Sequence, residues 1–157
     1  MDKILITYGT RPLSQRVAKR FGSCFSFLFA TGEPFPDVLE SKGYCKIPKS
    51  DESSYEHMLL DISLSNDVKY ILPMDHSESE RLSKVRVLYA EYGIEILIPE
   101  VKQDGQYVKI CHQPDPNLDL RLIIKGKDVE TNKTEHAIDL SGVFVSGHEG
   151  ELYKVVI

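Results

Sequence analysis

Lys3-Ile4-Leu5-Ile6-Thr7-Tyr8-Gly9 is a short apolar run that ends at a glycine, and a helical pattern follows it at once. The arrangement recurs at Val68-Lys69-Tyr70-Ile71-Leu72-Pro73, and Glu95-Ile96-Leu97-Ile98-Pro99 closes the series. Apolar strands alternating with amphipathic helices predict a parallel sheet covered on both faces. Sheets of that kind place their ligands beyond the carboxyl ends of the strands.

Outward from the first strand, Pro12 suits the opening turn of a helix, where its missing N–H would have been unpaired anyway. Leu13, Val17, Ala18 and Phe21 then repeat at helical spacing, and Gly22 fits the stop. Cys24 to Ala30 reads as a second strand. A turn at 33–36 and a short helix about Asp37 to Lys42 lead to a third strand, Tyr44 to Pro48. Ser53 with Glu56, and Ser77 with Glu80, have capping-box spacing. Met58, Leu59 and Ile62 are the expected buried stripe of one helix. Leu82, Val85, Leu88 and Tyr92 are that of the next, which Gly93 ends.

From residue 101 the period changes. Gln106 to His112 is a strand candidate, and Leu118, Leu120 and Leu122 alternate with polar residues as in a half-buried strand. Ala137 to Leu140 fits an antiparallel return, and Gly142–Ser146 with Glu151–Ile157 fits a hairpin. The sequence therefore predicts an α/β fold: an open, mostly parallel five-stranded sheet with helices on both faces over residues 1–100. A small antiparallel β segment over residues 101–157 follows as an appendage. The tail Leu152-Tyr153-Lys154-Val155-Val156-Ile157 is apolar to its end, although termini are usually polar unless tied down. Closure of a sheet within the chain is the favoured explanation, with a homodimer through this edge as the alternative.

A net charge of −5 argues against a nucleic-acid surface, where a clustered basic face is expected. No apolar stretch approaches the ~20 residues of a membrane span, and Met1-Asp2-Lys3 leads straight into a strand with no signal-peptide pattern. Cys24, Cys45 and Cys111 are odd in number and widely spaced, and Cys24 and Cys45 read as small buried side chains. The cytoplasm is the default expectation.

Two places at the ligand-binding edge carry candidate chemistry. Gly9, Thr10 and Arg11 lie at a helix N-terminus after the first strand. Backbone N–H groups, a hydroxyl and a guanidinium there suit a phosphate or carboxylate. The competing reading is a solvated turn with Thr10 as the helix cap. Asp75 and His76 leave the fourth strand, where such a pair can act as a general base or bind a metal. A polar turn explains them equally, while Glu78 and Glu80 favour a helix N-terminus electrostatically. His112, His136 and His148 lack ligand spacing, so a zinc site has no support, and no pattern names a cofactor.

Residues 1–100 resemble the pre-ATP-grasp domain, the N-terminal domain of ATP-grasp ligases such as carbamoyl-phosphate synthetase and biotin carboxylase. The matching stretches are Lys3-Ile-Leu-Ile-Thr, Tyr70-Ile-Leu-Pro followed by Asp75 and a Glu/Ser-rich helix start, and Tyr92-Gly-Ile-Glu-Ile-Leu-Ile-Pro-Glu100. The family's Gly-rich first loop retains one glycine here, Gly9. The family also implies a following ATP-binding domain, whereas 57 residues follow Glu100. The resemblance implies a non-catalytic binding or accessory module that recognises an anionic metabolite or docks on an ATP-grasp partner. Gly9-Thr10-Arg11-Pro12 is also similar to the opening of UDP-N-acetylglucosamine 2-epimerases. That likeness implies the alternative of a small enzyme acting on a phosphorylated or nucleotide-linked sugar, with Arg11 on phosphate and His76 as base. A structural subunit assembling through its β segment is the third expectation.

Overall fold

The computed structural model describes residues 1–99, 109–134 and 140–157. Glu100, the beginning of the expected Gln106–His112 strand, His136 and most of the Ala137–Leu140 strand lie outside the described residues. The chain divides into two compact units, Met1–Ile96 and Leu97–Ile157.

In the first unit, β1 (Lys3–Ile6) leads to α1 (Pro12–Phe21) and β2 (Ser26–Thr31). A 3-10 helix over Asp37–Lys42 ends at Gly43, whose φ of 85° is the left-handed turn that a glycine enters freely, and β3 (Tyr44–Lys46) follows. Then come α2 (Tyr55–Ser65), β4 (Tyr70–Leu72), α3 (His76–Ser83), α4 (Arg86–Glu91) and β5 (Glu95–Ile96). The five strands are all parallel, in the order β3-β2-β1-β4-β5.

Ile4, Leu5 and Ile6 are each 0% exposed. Successive strand residues point to opposite faces, so burial of all three requires cover on both. Right-handed crossovers supply it: α1 carries the chain from β1 to β2, and α2 carries it the opposite way, from β3 to β4, which puts them on opposite faces. The order reverses between β1 and β4, and a crevice opens at the carboxyl ends of strands where such a reversal occurs.

The expected long helix after β4 is two helices. Lys84 and Val85 donate to the carbonyls of Arg81 and Leu82, three residues back, and this tight turn ends α3 before α4 begins. The break resets the phase. Tyr89 becomes fully buried, its hydroxyl donating to the Glu56 carbonyl at 2.6 Å, while Leu88 and Tyr92 stay exposed. On α2, Tyr55, Leu59 and Ser63 form the buried stripe and Met58 faces outward. Neither capping box forms as expected: Ser54 and Asp75 occupy the two cap positions, without side-chain cap bonds. Cys24 lies in the turn before β2 and is exposed rather than buried, whereas Cys45 is half-buried and burial pushes its thiol up to about 11.

The second unit contains β6 (Lys109–His112), β7 (Arg121–Ile124), β8 (Lys127–Asp128), β9 (Gly142–Ser146) and β10 (Leu152–Val156). Their order is β6-β10-β9-β7-β8. Pairing is antiparallel except between β10 and β6, which run parallel, so the sheet is mixed. β10 pairs on both sides, with β9 and with β6. The apolar tail is therefore an interior strand, and Val155 and Val156 are buried. Leu120 and Leu122 point inward as their alternation predicts, but Leu118 precedes β7 and is exposed.

Candidate functional site

The carboxyl ends of the parallel strands surround a cleft of about 520 Å3. Tyr8 and Arg11 reach it from the loop after β1, Glu33 from that after β2, Lys49 and Asp51 from that after β3, and Glu78 from α3. The cleft lies where parallel-sheet topology puts ligands.

Its most unusual member is Glu78, only 3% exposed although it sits in the first turn of α3. Thr7, one residue past β1, donates its hydroxyl to Glu78 Oε2 at 2.6 Å. Tyr55, the first residue of α2, donates to Oε1 at 2.9 Å. The same Thr7 oxygen accepts the Met74 backbone N–H at 2.9 Å, which holds the hydroxyl in place beside the carboxyl. A backbone hydrogen bond from Asp75 also favours the carboxylate. Among the described residues no Lys or Arg forms an ion pair with it. Burial therefore wins over the hydrogen bonds and raises the Glu78 carboxyl from its ordinary value of 4.5 to about 7, with the nearby Asp75 charge adding to the shift.

Tyr8 stands beside it with φ of 50°, a left-handed conformation that costs a bulky residue energy and marks places where the surroundings impose the backbone. Burial raises its phenol, and the charges of Glu78, Asp75 and Glu33 push the same way, with Arg11 opposing. The Tyr8 hydroxyl thus lies within the field of both Glu78 and Arg11.

The wall formed by α3 is braced from α2. Arg81 pairs with both carboxylate oxygens of Glu56, Nη2 reaching Oε2 at 2.7 Å. It also donates to the Ser50 carbonyl and lies 5.4 Å over the Tyr55 ring. One guanidinium therefore ties the loop after β3 to α2 and α3, next to Tyr55, one of the hydroxyl donors of Glu78.

The first-loop candidates come out differently from one another. A Cβ on Gly9 would lie 2.6 Å from Phe29 Cβ, so that glycine is needed for the approach to β2. Its N–H donates to the Ala30 carbonyl at 2.9 Å, and the Arg11 N–H donates to the Tyr8 carbonyl at 2.9 Å, so both amides are engaged within the protein. Thr10 is exposed and the cap position of α1 is Arg11. The Arg11 side chain lines the cleft and holds Glu33 in a bidentate pair, Nε to Oε1 at 2.8 Å and Nη2 to Oε2 at 3.1 Å.

Asp75 and His76 do not face each other as a dyad. Asp75 accepts a hydrogen bond from the Ser77 hydroxyl, and His76 lies 3.4 Å from Glu80 on the exposed side of α3. Neither lines the cleft. Among the described residues no group of three or more His, Cys, Asp or Glu side chains is placed to hold a metal ion, and no helix is long and apolar enough to cross a membrane. Comparison with protein-family models and with curated proteins finds no match to this chain.

Sequence reading misses Glu78, Thr7 and Tyr55 as a unit. The signal it contains is positional: a hydroxyl residue directly after β1 and an acid in the first turn after β4, the two strands flanking the reversal of sheet order.

Proposed function

We propose that this chain is a non-catalytic small-molecule-binding module, and that its ligand carries an acidic group taken by Arg11 in the cleft at the carboxyl edge of the parallel sheet. The observation that carries this reading is the coincidence of the cleft with the reversal of strand order, together with a buried carboxyl, Glu78, on its wall. Arg11 is about half exposed and its partner Glu33 is a surface residue, so a ligand carboxylate or phosphate can replace Glu33 at small cost. The first-loop amides of Gly9 and Arg11 are spent inside the protein, which shifts anion recognition from the backbone to the guanidinium.

The test is a thermal-shift panel of dicarboxylates, amino acids, sugar phosphates, UDP-sugars and ATP, with and without Mg2+. A compound present at about 100 times its Kd adds ~2.7 kcal/mol to the folded state. The reading expects a stabilising compound whose effect is lost in Arg11→Ala. A panel without any shift, or a shift that Arg11→Ala leaves intact, refutes it. Turnover of a bound compound by the isolated chain would overturn the non-catalytic part. The likeness of residues 1–100 to the pre-ATP-grasp domain adds an ATP-grasp partner protein to the proposal. Co-sedimentation with such a partner is the corresponding check.

A further inference from the structure

The charges lining the cleft are Arg11 and Lys49 against Glu33, Asp51 and Glu78. Arg11 and Glu33 are held together as a pair, which leaves one base, Lys49, and two acids, Asp51 and Glu78, among the other charges of the lining. A wall with more acids than bases opposes a ligand carrying several negative charges, such as a nucleoside triphosphate, because like charges in a confined cleft repel. It accepts a ligand with one acidic group and one cationic group.

Glu78 is placed to receive the cationic end. A carboxylate offers about four acceptor positions on its two oxygens. Thr7 and Tyr55 each donate to one of the two oxygens. The positions left over belong to a side chain that lines the cleft and, among the described residues, has no cation of its own. Packing alone gives no reason for an acid at this position, since a buried, unpaired carboxyl is costly and a neutral side chain of the same length would fill the space. A ligand ammonium supplies the missing counter-charge. The acidic group then falls to Arg11, whose side chain lines the same cleft beside Tyr8 and Glu78.

We infer that the cleft binds a zwitterion of the amino-acid class, its carboxylate on the Arg11 guanidinium and its ammonium on the Glu78 carboxylate. This rests on the reading of the cleft as the ligand site. The volume of about 520 Å3 leaves room for a sizeable side chain.

The experiment is isothermal titration of the full chain at pH 8 with three matched series: L-amino acids, the 2-hydroxy acids that replace the amine by hydroxyl, and the amines that lack the carboxylate. ATP and succinate complete the set. At least one amino acid is expected to bind, with its hydroxy-acid and amine counterparts more than 10-fold weaker. Glu78→Gln should weaken the amino acid more than 10-fold and leave the hydroxy acid within about 2-fold. These comparisons use the unmodified protein as well as the variant, so they do not depend on the variant folding. If succinate, ATP or a hydroxy acid binds as tightly as any amino acid, and does so through Arg11, the zwitterion inference fails while the cleft remains the ligand site. If no compound binds, both fail.

Discussion

Replacing Glu78 by Gln should make the protein more stable at pH 8 and leave its stability at pH 4.5 little changed. The Gln amide fits the same cage. With the Gln oxygen accepting from Thr7, the amide nitrogen faces Tyr55, whose hydroxyl can turn to accept. In the parent protein the carboxyl is neutral below its unfolded value, near 4.5, and the fold bears no cost. As pH rises from 4.5 towards about 7, the unfolded chain has lost the proton while the folded chain still holds it. Stability therefore falls through that window and levels off above it. The interval corresponds to about 3 kcal/mol in favour of the Gln variant at pH 8, at ~1.4 kcal/mol per pH unit. For a unit of about 100 residues that is a rise of roughly 10 °C or more in Tm.

Urea unfolding followed by ellipticity at 222 nm, at half-unit steps from pH 4.5 to 8.5, measures the difference. That signal reports on the first unit, because every described helix lies in Met1–Ile96. A difference between variant and parent that stays constant across the range would show that Glu78 does not titrate there. The cage of hydroxyl and amide donors would then be strong enough to keep the carboxylate ionised, and burial would not be the dominant influence on it.

Other substitutions test the frame around the site. Gly9→Ala should cost about 1–3 kcal/mol, because its Cβ would lie 2.6 Å from Phe29 Cβ and the first loop must part from β2. A change below about 0.5 kcal/mol in unfolding free energy by urea would show that the contact of the first loop with β2 yields freely. Leu59→Ala, at a position 0% exposed on α2, should lose about 2–5 kcal/mol in the same assay. Arg81→Ala removes the bonds to Glu56 and to the Ser50 carbonyl, and backbone hydrogen exchange in the loop after β3 should accelerate. Unchanged exchange there would remove Arg81 from its bracing role. Deleting residues 152–157 takes away the strand that pairs with both β6 and β9, so amide protection in β9 should vanish. Retained protection would mean that the second sheet closes without its C-terminal strand.

The parallel sheet is legible in the sequence because its signals are local and repeated. Ile4, Leu5 and Ile6 form an unbroken apolar run, and only a strand covered on both faces buries every residue of one. Pro12 and Gly43 then fix where a helix begins and a turn ends through their own backbone chemistry. The failures are equally physical. Leu88 and Tyr92 continue the helical period from Leu82, yet two i→i−3 bonds at Lys84 and Val85 reset it in favour of Tyr89, whose hydroxyl finds the Glu56 carbonyl. No periodicity in the sequence encodes that partner. The parallel pairing of β10 with β6 is hidden for a related reason: short connections announce hairpins, whereas β6 and β10 are far apart in the chain.

Glu78 shows how a correct local rule can hide a site. An acid in the first turn of a helix is favoured by the dipole, and that suffices to explain it as an exposed residue. Its burial is decided elsewhere, by Thr7 at a separation of 71 residues and by Tyr55 at 23, which become its neighbours only when β1, α2 and α3 meet at the reversal of strand order. His76 shows the converse. The residue type best suited to catalysis stands on the first turn of the same helix, outside the cleft lining, where it pairs with Glu80. Successive residues of a helix are about 100° apart around the axis, so two positions separate an exposed histidine from a buried carboxyl. Which of them is chemically engaged depends on the face the helix presents to the sheet, and that face is set by Leu82 and Ser79 as much as by the acid itself.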